Sequence, residues 1–401
     1  MKIVLLITAG VCAWAAELPR TLLAESEAEP IRSAIVRKEA WTIDPVRRLR
    51  SEAERHMKDG PWSVTADRPE SPHLDPHDYY SAAAYWWPNP DNPAGPFIRR
   101  DAVNPDRFVS NKAALQAMSE AVFSLGSAAF LLDEPRYLKR ARSVIRTWFL
   151  DPKTRMNPHL EFAQSIPGVN DGRGAGILEG RPLIRAIQGM EFLDQTGGWD
   201  AKEQAAVRRW FDEYLKWLTE SNNAEEEKRA GNGNASWWTA QVAAVTTFAG
   251  NPAASRMAFQ HYREQIFSKQ IRSDGSAPRE EQRPRPQWSS VFNLEAFVTT
   301  CRIAQLQGVD LWQTRAQKDA TIATVIDYLQ PYVTDPQRWK KEQSSEGSHD
   351  GAYFLALAGM GLKRPEYVGL FRKLDRPGRA WTSVIDLVVS RWEAAAHQTR
   401  H

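Results

Sequence analysis

Apolar residues recur along this chain at alternating steps of three and four, the spacing that keeps them on one face of an α-helix. Leu115, Met118, Val122, Leu125, Ala129 and Leu132 form the longest stripe. Tyr137, Ala141, Val144 and Trp148 repeat it after a break at Asp133-Glu134-Pro135. Further stripes are Val207, Phe211, Tyr214 and Leu218, then Leu294, Phe297, Cys301 and Ala304. Ile322, Val325 and Leu329 follow, and Trp381, Val384, Val388 and Trp392 close the series. Few segments alternate with the period of two that a half-buried strand needs. Proline and glycine clusters separate the stripes, at residues 88–96, 151–152, 167–176, 197–198, 250–252 and 278–286. The pattern predicts an all-α chain of antiparallel helical hairpins, packed as one toroid or bundle over residues 25–395. No strict repeat period marks a short-repeat solenoid. The charge-rich stretch 222–229 reads as a solvated loop.

The first residues follow a different rule. Lys2, an apolar run from Ile3 to Ala13 and the small-x-small triplet Ala13-Trp14-Ala15 predict an export signal over residues 1–15, cut after Ala15 or Ala16. The run is too short to stay as a membrane anchor, and no later stretch resembles a span. Cleavage removes Cys12 and leaves Cys301 alone, so no internal disulfide is expected. The expectation is a soluble protein of the bacterial periplasm or exterior, without membrane contact after signal cleavage. Composition adds little, with 42% hydrophobic and 25% charged among 401 residues. A net charge of +3, from 52 basic and 49 acidic residues, gives no reason to expect nucleic acid as a partner. A polyanionic substrate needs only a local basic cleft.

Three segments carry candidate chemistry. From Tyr79 to Trp87, five large aromatics (Tyr79, Tyr80, Tyr85, Trp86, Trp87) occupy nine positions ahead of Pro88 and Pro90. Flat faces edged by O–H and N–H groups suit the C–H faces and hydroxyl rims of sugars, and equally seal a core beneath a loop. Next, Asn232-Gly233-Asn234-Ala235-Ser236 leads into a helix beginning near Ser236, followed by Trp237, Trp238 and Gln241. Ser236 is a possible cap, and backbone N–H groups there are placed to face an anion. Third, Arg279, Arg283 and Arg285 lie within seven residues on a proline-stiffened loop, able to clamp carboxylates or to pair with Glu280 and Glu281. His73 and His77 are kept from a helical metal pair by their flanking prolines. No nucleophile elbow, phosphate loop or dinucleotide fingerprint is present.

Taken in order, these segments resemble the alginate lyase family, the all-α uronate-polysaccharide lyases. The stretches carrying the resemblance include Asp78-Tyr79-Tyr80-Ser81, Tyr85-Trp86-Trp87-Pro88, Arg146-Thr147-Trp148-Phe149, Ala163-Gln164-Ser165-Ile166-Pro167-Gly168 and Phe292-Asn293-Leu294. They cover roughly residues 70 to 340. The resemblance implies an α/α toroid with a deep cleft, and β-elimination on an acidic polysaccharide or oligosaccharide without metal or organic cofactor. The chemistry requires the uronate carboxylate to be masked, a base to take the C5 proton and an acid to protonate the leaving O4. Asn234 stands where the family has its catalytic His, and Ser289 falls near the place of its Tyr. The resemblance thus implies Asn234 and Arg283 as masking groups, with Tyr80 and Tyr85 as replacements for proton transfer and His159 and His349 as further candidates. It implies Asn232, Tyr79, Trp86, Trp87, Gln164, Trp237, Trp238, Gln241 and Arg285 as substrate contacts. Two other readings accompany it: a pseudoenzyme that binds acidic glycans, and a glycoside hydrolase using Asp78, Asp101 or Glu161.

Overall fold

The computed structural model describes residues 20–69, 74–339, 352–374 and 380–398. The expected signal segment, Cys12, His73 and His349 lie outside these residues.

Every apolar stripe folds as a helix. The longest runs from Ser110 to Leu131, and Pro135–Ile145 follows it, with proline in its first turn where no N–H is missed. Ala201–Glu220 is capped by Asp200, whose carboxylate accepts from the N–H groups of Lys202 and Glu203. The 222–229 stretch is not the loop expected. It is a helix, Asn222–Arg229, capped by Ser221, and it buries Asn223, Ala224 and Glu227 against the Gly174–Gly180 turn.

Six helices touch in sequence around a closed ring. Ser110–Leu131 meets Leu183–Gln195, which meets Gly233–Phe248, which meets Pro286–Gln305. Tyr353–Gly361 and then Ala380–Gln398 complete the circuit back to Ser110–Leu131. Pro135–Ile145, Ala201–Glu220, Pro252–His261, Ile322–Thr334 and Pro365–Lys373 pack outside them. This double layer is the α/α toroid. Ser110–Leu131 is long and apolar enough to cross a membrane, but here it is a buried core helix.

Two inner helices cross backbone to backbone. A Cβ on Gly126 would lie 2.2 Å from the Gly189 carbonyl oxygen, and one on Gly189 would lie 2.4 Å from that of Val122. Neither helix can move aside within the packed ring. Gly189→Ala is therefore expected to cost about 2–3 kcal/mol, read as a lowered denaturation midpoint at unchanged slope.

Two short strand pairs carry the aromatic segment. β1 (Tyr80–Ala82) runs parallel to β4 (Phe162–Ser165), and β2 (Trp86–Trp87) runs antiparallel to β3 (Ile98–Arg99). The Tyr80 N–H donates to Asn111 in the first turn of Ser110–Leu131, fixing β1 to the ring.

The chain enters the core at residues 20–23. Thr21 gives both its N–H and its hydroxyl to Glu191, while Arg302 donates to the Leu22 carbonyl and pairs with Glu27. Burial raises the Glu191 carboxyl to about 7, against the bonds from Thr21 that lower it. Folding thus favours its protonated form. The stability it contributes is full below about pH 4.5 and is lost as pH rises through 7, on the order of 3 kcal/mol. Unfolding of wild type and Glu191→Gln at pH 5 and pH 8 should show this loss in the wild type and a smaller one in the variant.

Candidate active site

The start of the Gly233–Phe248 helix is held from both sides. Asn232, not Ser236, is the cap, and its side chain accepts from the N–H groups of Asn234 and Ala235. The Gly233 N–H donates to Glu280 Oε1 at 2.7 Å. The first N–H groups are therefore taken within the protein, and the helix start offers no free backbone donor for an anion. Ser236 lies inside the helix, bonded to Gln270.

Charged side chains gather in front of it. Glu280, buried, pairs through Oε2 with Arg283 Nε at 3.0 Å, and the same guanidinium reaches Asn234 Oδ1 from NH2 at 3.4 Å. With its oxygen facing Arg283, Asn234 lies beside the carboxylate of Glu227 and favours its ionised form. Glu227 is 3% exposed, and its Oε1 is buried without a hydrogen-bond partner. Burial, reinforced by Glu226, raises its carboxyl to about 7, while Asn234, Arg283 and Arg173 pull it down. A carboxyl so placed exchanges protons near neutral pH.

Arg173 joins this wall to the opposite one. It donates to Gln164 Oε1 at 2.6 Å, and the neighbouring Gly174 N–H donates to Glu226. Gln164 has a backbone φ of 54°, a left-handed conformation that costs a non-glycine residue about 1 kcal/mol or more. Its N–H donates to the Ser81 hydroxyl and its amide to the Ala175 carbonyl, bonds that hold it there.

The aromatic segment divides by depth. Tyr79 is fully buried and donates to Glu179, which also accepts from Ser81 at 2.5 Å and pairs with Lys112 at 3.3 Å. Burial and the Glu179 charge hold the Tyr79 phenol far above its ordinary range, so it is a framework residue and not a sugar contact. Tyr80, Tyr85, Trp86 and Trp87 are half-buried. Tyr80 leans on Phe108, and Trp87 donates to the Ala102 carbonyl beneath the Arg100 guanidinium.

Three other expected contacts are core residues. Trp237 donates to the Phe292 carbonyl, Trp238 to the Leu218 carbonyl, and Gln241 to the Ile177 carbonyl. The physical reason is that Gly233–Phe248 is wrapped by neighbours and buried from Ala235 to its end. Trp238 faces outward between helices, against His261. Arg285 stacks on Trp288, and Ser289 is buried. His159 pairs with Asp78, and Glu161 accepts from Trp217. Asp101 is exposed, and among the described residues no hydrogen bond or ion pair links Asp78, Asp101 and Glu161 to one another.

Glu227, Glu179 and Arg173 were not anticipated from the sequence, while Glu280 was expected as a partner of the arginines and does pair with Arg283. The available signal was the run of charge at 225–229 directly before the Asn232 turn.

Arg283, Asn234 and the buried Glu227 thus meet at the start of one inner helix of an all-α toroid. The model of the alginate lyase family matches residues 63–339, and the chain belongs to that family. An alginate lyase from Bacteroides ovatus superposes with a TM-score of 0.83 at 27% identity, over 91% of this chain and 98% of the other. Alginate lyase A1-III from Sphingomonas species A1 superposes with a TM-score of 0.54 at 12% identity, over 82% and 92%. A variant of A1-III complexed with a tetrasaccharide gives 0.56 at 14% identity, over 84% and 93%. No curated protein sequence matches this chain.

Proposed function

We propose that this protein cleaves a uronate-containing polysaccharide by β-elimination. The observation that carries the reading is the Glu280–Arg283–Asn234–Glu227 series, which sets two masking groups next to a carboxyl that titrates near neutrality. Arg283 and the amide of Asn234 would bind the substrate carboxylate and stabilise the charge that develops as C5 is deprotonated. Glu227 then accepts the C5 proton, the C5–H electrons form the C4–C5 double bond, and the C4–O4 bond breaks. The O4 oxygen takes a proton from Tyr80 or Tyr85, and the Glu227 proton returns to that phenolate through solvent. The complex of a related lyase with a tetrasaccharide supports an oligosaccharide partner, and the amino-terminal segment supports export as the route to one.

Incubation with alginate, glucuronan and other polyuronates should raise ultraviolet absorbance from the new double bond. Silence across the panel together with measurable glycan binding would favour the pseudoenzyme reading, and products without unsaturation would favour hydrolysis. Asn234→His separates two origins of the base. If Glu227 takes the proton, histidine displaces the amide beside it and lowers kcat. A gain of activity would assign the missing base to position 234.

A further inference from the structure

A cavity of about 170 Å³ lies against Glu280, and Asn234, Arg283 and Glu227 take no part in its lining. Its walls are the Ser268–Gln270 turn, the loop from there to Pro278–Glu281, and the Gly231 turn, with Gln317 alongside. Three lining side chains are cations, Lys269, Arg272 and Arg279, and all three are exposed at the rim. Among the described residues the one acid in the lining is Glu280. Both of its oxygens are committed, Oε1 to the Gly233 N–H and Oε2 to Arg283. The hollow is therefore positive on balance.

The fold also sets these cations in place without pairing them. Among the described residues no carboxylate forms an ion pair with any of the three. Arg279 donates from Nη1 to the Ala230 carbonyl at 2.5 Å. Gly231 has a backbone φ of 62°, and a Cβ on it would lie 2.7 Å from that same nitrogen. The bare glycine thus clears the space that the guanidinium occupies. Arg272 heads a tight turn, its N–H donating to the Ser276 carbonyl and its own carbonyl accepting from Gly275. The acid within that turn, Asp274, spends Oδ1 on the N–H and hydroxyl of Ser276. Lys269 donates only to the neutral Gln265.

Size and chemistry constrain what such a hollow takes. It has the volume of roughly five or six waters, and it falls below the roughly 300–1,000 Å³ of sites for larger ligands. A sugar chain exceeds it. Two guanidinium forks and an ammonium match an anion that carries several acceptor oxygens on one centre. Ile271 and Ala277, both buried, supply an apolar floor that strengthens the attraction.

We propose that this cavity binds a free tetrahedral oxyanion, phosphate or sulfate, held by Arg272, Arg279 and Lys269. The ion would lie against Glu280 on the side away from Arg283. Its charge would oppose that of the Glu280 carboxylate and loosen the grip of Glu280 on Arg283. The site would thus act as a brake on the masking arginine. That consequence for cleavage rests on the lyase reading, and binding of the ion does not.

The test is calorimetry on the full chain with sodium phosphate and sodium sulfate, against sodium chloride at equal ionic strength. At least one of the two ions should bind tenfold or more tighter than chloride. Arg272→Gln should weaken that ion at least fivefold without lowering Tm, because Arg272 makes no ion pair. Gln317→Glu, which sets an acid on another wall, should weaken it as well. The proposal is overturned if neither ion outbinds chloride, or if either folded variant keeps the wild-type affinity. On a polyuronate that the chain cleaves, the saturating ion should lower kcat/KM at least threefold in wild type and leave Arg272→Gln unaffected. An equal rate with and without the ion overturns the brake. If binding depends on Arg272 while no polyuronate yields unsaturated product, the lyase reading falls and the site stands. If cleavage proceeds while neither ion outbinds chloride, the site falls and the lyase reading stands.

Discussion

Glu227→Gln is expected to lower kcat at least about 100-fold on any polyuronate that the wild-type chain cleaves, with KM little changed. Glutamine keeps the shape of the side chain beside Asn234, so the masking pair remains in place. Only the proton acceptor is lost. The wild-type rate should rise with pH through about 7 as the carboxyl ionises, and the variant should lack that limb. Tm supplies a control with the opposite sign. A carboxyl raised by burial destabilises the fold once it must ionise, so Glu227→Gln should be at least as stable as wild type at pH 8. An active, pH-dependent Glu227→Gln beside an inactive Tyr80→Phe or Tyr85→Phe would move the base to the opposite wall.

Arg283→Lys should cost about 100-fold or more in kcat/KM, although it preserves the charge. The guanidinium spans two partners, Glu280 through Nε and Asn234 through NH2. A lysine ammonium is a point charge at the end of a flexible stem, and it would settle on Glu280 alone. Asn234 would lose the partner that orients its amide beside Glu227, so masking and proton transfer would fail together. Glu280→Gln should reproduce part of the loss by loosening Arg283, and a greater loss in kcat than in binding would separate alignment from simple attraction. A kcat/KM within threefold of wild type for Arg283→Lys would remove Arg283 from the mechanism.

The helical stripes were legible because burial in this fold follows the 3.6-residue period, and each of the six became a helix. The ring they close could not be read, since its contacts join helices far apart in sequence. Asn234 and Arg283 were placed together by the resemblance to the alginate lyases, and they do touch. The segment at 222–229 was misread for a physical reason. Its residues are almost all polar, so no apolar stripe announced a helix, and the burial of Glu227 comes from the Gly174–Gly180 turn packed across it. Trp237, Trp238 and Gln241 were read as cleft residues from their place near a helix start, and they are buried in the core. Sequence spacing does not tell which faces of a fully enclosed helix meet solvent.

The contact between Gly126 and Gly189 reaches beyond stability. Gln188 is next in the chain to one glycine, and Ser119 lies two helical turns before the other. The separation of these two side chains across the bore is therefore set by main chain resting on main chain, not by the size of any packing residue. Side-chain changes elsewhere in the core cannot widen or narrow that gap by degrees. A descendant of this protein could exchange the side chains along these two helices freely, while the distance between the helices stays inherited.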